Sequence, residues 1–324
     1  MDSLPTTEAL VKESNVSVPI VFKWCAILIG IVGVVTNGVV LAALISKDRI
    51  KKTVNILIIN QVALDLYSTV FLFVTYAMKL SSLQFVGTFG WILCTVFDSD
   101  MIIFNGLTGS MVNLVLIAAE RYFLIVHPIL HKTQVRRWLI IALGTLPWIE
   151  GIATNLPGFW TSAVVDGVCF KLSFWPSEAS QKTYSICMIL LTFLIPLVLL
   201  VFFYGSVLLV VRQRSKVFQG SYTNQDMSTV LQKNAHRAQM NIISTMIIVS
   251  VAFAVCWFPG HLWHVFLIIQ YNVRNNDTFY GFLLFLVFLN ISRSPFIYAT
   301  KLDPVKKKLR GWVSKRVPTV ATIA

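Results

Sequence analysis

The sequence predicts an all-α membrane protein: a bundle of seven transmembrane helices followed by a short amphipathic helix on the cytoplasmic side. Three observations carry this. The 324 residues are 56% hydrophobic and only 13% charged, with a mean hydropathy of +0.74, whereas a soluble domain is about a quarter charged. Seven apolar runs, over 21–45, 54–78, 92–123, 138–160, 184–211, 239–269 and 279–300, reach the ~20 residues that a bilayer core asks of a helix. They leave no stretch long enough for a separate soluble domain. Most of the 27 Lys and Arg residues lie at the ends of runs one, three and five or in the tail, which is the positive-inside asymmetry.

That asymmetry puts the N-terminus outside and the C-terminus in the cytosol, so the expected organisation is an extracellular tail over 1–20, a membrane domain over 21–300 and a cytoplasmic segment over 301–324. The net charge of +13 is thereby a topological signal, and no nucleic-acid partner is expected. The polar N-terminal tail lacks a basic stretch leading into a short apolar core, so run one is expected to act as signal anchor. Two sequons, Asn15-Val16-Ser17 and Asn276-Asp277-Thr278, fall on the outside and mark Asn15 and Asn276 as glycosylation candidates. No internal repeat appears, which argues against a transporter built from duplicated halves.

Each run carries a polar or helix-breaking feature. Run one has Asn37, and run two has Asn60 and Asp65. A carboxylate at mid-bilayer depth costs several kcal/mol unless paired or hydrated, so Asp65 should face the bundle interior. Run three ends on Glu120-Arg121-Tyr122, an acid and a base where hydrocarbon gives way to cytosol. Run four holds Pro147, Trp148 and Pro157; run five holds Pro196 and Tyr204. Run six reads "FAVCWFPGHLWH", where Pro259 removes a backbone donor and crowds the preceding turn. Run seven carries Pro295 and Tyr298. Beyond it, Pro304 suits a first helical turn, and Val305, Leu309, Trp312 and Val313 share a face among basic residues, the pattern of a helix on anionic lipid. Cys25, Cys187 and Cys256 lie within apolar runs and read as small buried hydrophobes. Cys94 and Cys169 both lie on the oxidising side, where a disulfide is chemically allowed.

In order and spacing this set resembles the rhodopsin-like (class A) G-protein-coupled receptors: Asn37, Asp65, the Glu120-Arg121-Tyr122 triplet, Trp148, Pro196 with Tyr204, the F-x-x-C-W-x-P pattern of Phe253, Cys256, Trp257 and Pro259, and Pro295 with Tyr298. The resemblance implies a plasma-membrane signalling protein, not an enzyme, with an extracellular ligand, a heterotrimeric G protein and membrane lipids as partners and no cofactor. It implies that Glu120 restrains Arg121 at rest and that outward movement of helix six opens a cytoplasmic crevice. Phe253 and Trp257 would relay ligand contact to the Pro259 kink, and Tyr204 and Tyr298 would close the active crevice. It further implies a Cys94–Cys169 disulfide stapling the loop between helices four and five over the bundle, and a sodium or buried polar site at Asp65 with Ser110 and Asn290.

The chain departs from the family in four places. Ser294 stands where an Asn is usual, and beside it Arg293 is a charge at an unexpected depth; Asp65 is its candidate partner. Cys94 lies 27 positions before Arg121, two more than the family spacing, so an irregularity is expected near the top of helix three, or else a disulfide that starts higher. The position of an amine-binding aspartate falls on Met101 or Ile103, missing Asp98 and Asp100, and disfavours an amine ligand unless a bulge turns Asp100 inward. Helix six offers Gln239 and Arg237 where an acid would latch Arg121, leaving Glu120 with packing as the restraint.

Depth alone places Asp100, Asn105, Glu150, Phe174, Trp175, Trp257, His261, Trp263, His264 and Gln270 around the outer half of the bundle. Of these, Asp100, Asn105, Trp257, His261 and His264 are the favoured ligand contacts. The two histidines read as pocket walls in preference to a metal pair. The mouth suits a peptide first and a small organic molecule second. A retinal protein needs a Schiff-base lysine in helix seven, and 279–300 has none. A transporter using Asp65 and Arg293 is the alternative function. An intramembrane enzyme would need a denser set of nucleophile and base than His261, His264 and Glu150.

Overall fold

Backbone polar groups in hydrocarbon must be satisfied within their own segment, which makes helices of the apolar runs. The computed structural model describes residues 18–45, 53–81, 83–219, 227–269 and 277–301. The first helix, α1 (Ile20–Leu44), has 25 residues, about 37 Å at 1.5 Å per residue and enough to cross a core of about 30 Å. α2 spans Thr53–Leu80. α3 runs Gly87–Val126 and is followed by a short helix, Pro128–Gln134. α4, Arg137–Thr161, is broken at Gly144–Thr145 and again before Gly158. α5 joins Glu178–Ile189, a π-helical turn Leu190–Leu194 and Ile195–Gln219. α6 is Met227–Ile269 and α7 is Asp277–Lys301. α6 begins well before the expected 239, because polarity beyond an apolar run does not terminate a helix.

The helices close a ring in which α1 packs on α2 and α7, and α7 on α6. α3 runs through the middle, touching α2, α4, α5 and α6. The core is a continuous apolar cluster from Val62 and Leu72 through Leu107, Met111 and Leu114 to Phe253, Trp257 and Phe288. Large apolar side chains such as Trp24, Leu28, Val198, Phe202, Val255 and Leu262 face outward instead, as lipid contact requires. Asn37 ties α1 to α7 by donating to the Ile291 carbonyl at 3.4 Å, and Ser292 returns a bond to Ile29 O at 2.9 Å.

Helices three and four approach closely through glycines. A Cβ on Gly151 would strike the backbone carbonyl of Asn105, and one on Gly109 would strike that of Pro147. Small residues permit such approach in membranes. Gly151→Ala should therefore force α4 away from α3 and lower stability by about 1–3 kcal/mol. The check is a thermal unfolding midpoint in lipid nanodiscs, and an unchanged midpoint would contradict this packing.

Candidate functional site

At the end of the bundle opposite the disulfide, α3, α5 and α6 are closed over a buried arginine. Arg121 is only 4% exposed, and its Nε lies 2.8 Å from Glu120 Oε2. A buried charge of this kind is costly unless paired. The short helix after α3 adds a second contact that the sequence reading missed: His131 Nε2 stands 3.4 Å from Glu120 Oε1. His131 thus stands beside Glu120 as a contact additional to the packing expected from the sequence. Tyr122 is held by its hydroxyl against His127 Nε2 at 3.1 Å and packs on Phe202 and Phe203 of α5. Below Arg121, Ile125, Val207 and Ile243 form a buried apolar contact that joins α3, α5 and α6. Tyr204 is buried within electrostatic reach of Arg121. The positions of Gln239 and Arg237 give no side-chain contacts to describe, and the same holds for Arg293, Ser294, Pro295 and Tyr298 in α7.

Above this closure an aromatic column runs along one face of α6. Phe253 stacks on Trp257 with ring centroids 5.2 Å apart, Trp257 stacks on His261 at 5.5 Å, and Phe104 of α3 meets Trp257 edge-on at 6.1 Å. The spacing of four residues places all three on one face. Pro259 lies within the same turns and deprives the Val255 carbonyl of its donor. His264 Nδ1 bonds the Gly260 carbonyl at 3.1 Å.

Asp65 is 2% exposed. Its Oδ1 accepts from the Ser110 hydroxyl at 2.9 Å and from Gln61 Nε2 at 3.4 Å. Gln61 also donates to Ser110 and accepts from Asn113 Nδ2 at 2.9 Å, while Asn60 links Asn113 at 2.9 Å to Trp148 Nε1 at 3.0 Å. The anticipated Ser110 contact is present, and Asn290 is buried, but Gln61 and Asn113 were missed. Both look like ordinary amides in the sequence, and only their convergence across α2, α3 and α4 makes them a network.

The outer half holds a cavity of about 680 Å³. Its floor is Trp257, His261 and Phe104, with His264, Trp263 and Tyr280 on its walls. Over it lies Cys169 of a hairpin in which Ala163–Val165 pairs with Val168–Phe170. Asp166 and Gly167 have φ of 51° and 77°, the two positive angles of a tight two-residue hairpin turn. Cys169 in that hairpin is bonded to Cys94 of α3, with Cα atoms 5.4 Å apart. Lys171, Leu172 and Trp175 then follow over the cavity.

The extra spacing between Cys94 and Arg121 has a cause. α3 carries a π-helical turn at Leu93–Asp98, and Asp100 has a left-handed φ of 61° before the regular helix resumes at Met101. The bulge turns Asp100 inward, as the amine reading would have required, but Lys79 already holds it: Nζ to Oδ1 is 2.6 Å. Asn105 does not line the cavity. With its amide turned so that the nitrogen faces α4, it donates to the Met101 and Gly151 carbonyls at 3.0 Å each. Glu150 and Phe174 are likewise not among the residues that line this cavity. Gln270, Asn15, Asn276 and the segment after Lys301 lie outside the described residues.

The profile of the 7 transmembrane receptor (rhodopsin family) matches residues 36–298. The chain belongs to that family. It is a multi-pass signalling receptor and not an enzyme. It is 25% identical over 280 residues to the substance-K receptor of Bos taurus, covering 83% of this chain and 68% of that protein. It is 24% identical over 304 residues to melanopsin-A of Gadus morhua, with 92% and 52% covered, and 25% identical over 294 residues to galanin receptor 2a of Danio rerio, with 89% and 75% covered. The receptor thus spans from about half to about three quarters of the length of these relatives.

Proposed function

We propose that the receptor binds an extracellular peptide in the outer cavity and activates a heterotrimeric G protein when α6 swings outward at Pro259. The observation that carries this is the alignment of three parts along α6. A roofed cavity lies above, the column Phe253-Trp257-His261 lies beneath it, and the Ile125–Val207–Ile243 closure seals Arg121 below. A ligand pressing on Trp257 or His261 works at the Pro259 break of the same helix whose far end must part from α3 and α5. Arg121 suits the exposed face of the opened crevice because it stays charged in any setting and offers several donors. The names of the relatives favour a peptide: a substance-K receptor, a tachykinin-like peptides receptor and a galanin receptor are among them. Opsin relatives are among them too, but α7 carries no lysine before Lys301, so nothing in it can form a Schiff base at cavity depth. We place the receptor in the plasma membrane with its N-terminus outside and the basic tail, 301–324, on anionic inner-leaflet lipid.

The test is nucleotide exchange on purified G proteins of each main class, with the receptor in lipid nanodiscs and a peptide library as ligand. Exchange above that of empty discs is expected, and Arg121→Ala should abolish it. Solute flux through liposomes carrying the receptor without exchange on any G protein would defeat the reading in favour of transport.

A further inference from the structure

The ionic residues around the outer cavity form one cluster with an unequal balance. Lys79 Nζ lies 2.6 Å from Asp100 Oδ1 and 4.6 Å over the Tyr76 ring. Lys171 Nζ lies 2.9 Å from Asp98 Oδ2, and Lys23 Nζ donates to the backbone carbonyl of Lys79 at 3.3 Å. Burial pulls the Lys171 ammonium down, but Asp98 and Asp100 outweigh it and hold the group above its ordinary value, hence charged. Both aspartates are therefore taken by lysines. Among the described residues Lys23 pairs with no carboxylate. Lys182, also on the cavity, is taken by Glu178. Among the described residues four ammonium groups therefore meet three carboxylates, which leaves one positive charge, that of Lys23, at the cavity wall.

This balance sorts ligands by charge. An amine would have to draw Asp100, 5% exposed, away from Lys79 and leave a buried ammonium unpaired, the costly way to break such a pair. A carboxylate displaces nothing, because it adds to the surplus and gains charge-assisted bonds. Asp100 also keeps a left-handed backbone at φ 61°, a conformation that costs a non-glycine residue free energy, and in it the side chain reaches Lys79. Below the cluster, Phe104, Trp257 and Tyr280 offer aromatic surface and no further charge.

We propose that the outer cavity takes a ligand with a single carboxylate, held by Lys23 and Lys79 at the upper wall, on an aromatic or apolar body that reaches Trp257. The proposal rests on the cavity being the ligand site, and it narrows the ligand to a free-acid peptide terminus or a small organic acid.

The experiment uses the full chain in nanodiscs. The probes are a tetrapeptide library as free acids, the same library as C-terminal amides, and indole-3-acetic acid with its amide, each read by the shift of the thermal unfolding midpoint. The acids should raise the midpoint and the amides should not. Lys23→Gln should weaken the acids at least about tenfold, the scale of one charge-assisted bond. The double variant Lys79→Met with Asp100→Asn, which removes the pair without leaving a lone charge, should weaken them similarly. Stabilisation by peptide acids alone assigns the carboxylate to a chain terminus, and stabilisation by indole-3-acetic acid alone assigns it to a small acid; either supports the proposal. Equal shifts from acids and amides, no shift from any acid, or unchanged acid selectivity in Lys23→Gln would overturn it. Ligand-free nucleotide exchange in the same discs keeps the two readings apart. Exchange without acid selectivity defeats only this inference, and acid-selective binding without exchange defeats the receptor coupling.

Discussion

Glu120→Gln is expected to raise ligand-free nucleotide exchange about tenfold. In the closed receptor Arg121 is buried with its Nε 2.8 Å from the Glu120 carboxylate. Removing one member of a buried pair costs about 3–5 kcal/mol, because the other charge is left uncompensated. That cost falls on the closed form, whereas in an opened crevice Arg121 meets water or a G protein. If even about 1.4 kcal/mol of it distinguishes the two forms, their ratio moves tenfold. Arg121→Ala should remove the same restraint yet abolish exchange, since the group that meets the G protein is gone. His131→Ala should give a smaller rise, about twofold, because its contact is longer and sits at a partly solvated surface where ion pairs are weak. Binding of a slowly hydrolysed GTP analogue without ligand measures all three, and unchanged basal exchange in Glu120→Gln would remove Glu120 from the switch.

Breaking the Cys94–Cys169 bond is the second large effect. The two cysteines are 75 positions apart, for which chain entropy alone gives about 4.5 kcal/mol in a freely unfolding chain. Helices held in a bilayer are less free when the receptor denatures, so the loss should fall toward the lower end of the usual range of about 2–5 kcal/mol. Its local consequence is larger: the bond pins to α3 the hairpin from which Lys171, Leu172 and Trp175 follow over the cavity, beside the Lys171–Asp98 pair and the Leu172 N–H to Ser162 Oγ bond. Cys94→Ser should lower the unfolding midpoint by several degrees (on the order of 1–2 °C per kcal/mol for a chain of this size) and weaken any ligand that touches the roof. Dithiothreitol should do the same to the native receptor and nothing further to Cys94→Ser. A midpoint that ignores the reductant would show that the bond carries no stability.

The parts that were legible in the sequence are those imposed by the bilayer. Apolar length dictated helices because hydrocarbon admits no unsatisfied backbone, and the spacing of Phe253, Trp257 and Pro259 put the column and the kink on one helix. The Glu120-Arg121 contact was legible because the two are neighbours in the chain at an interface. The two-position surplus before Arg121 announced an irregularity, and the π-helical turn with left-handed Asp100 is that irregularity. The partner that Asp100 found was not legible. Lys79 lies at the end of a different helix, and its 2.6 Å contact depends on how α2 and α3 are rotated against each other.

By itself, then, the sequence determined the seven-helix architecture and the contact of Glu120 with Arg121, because each follows from local spacing read against a slab of fixed thickness. Only the tertiary structure decided which charges meet. It brought Gln61 to Asp65 and Asn113 to Gln61, set His131 beside Glu120 and, among the described residues, placed Lys23 on a backbone carbonyl with no carboxylate. Those outcomes hang on helix rotation and on a single bulge of α3, which are fixed by packing between segments distant in the chain.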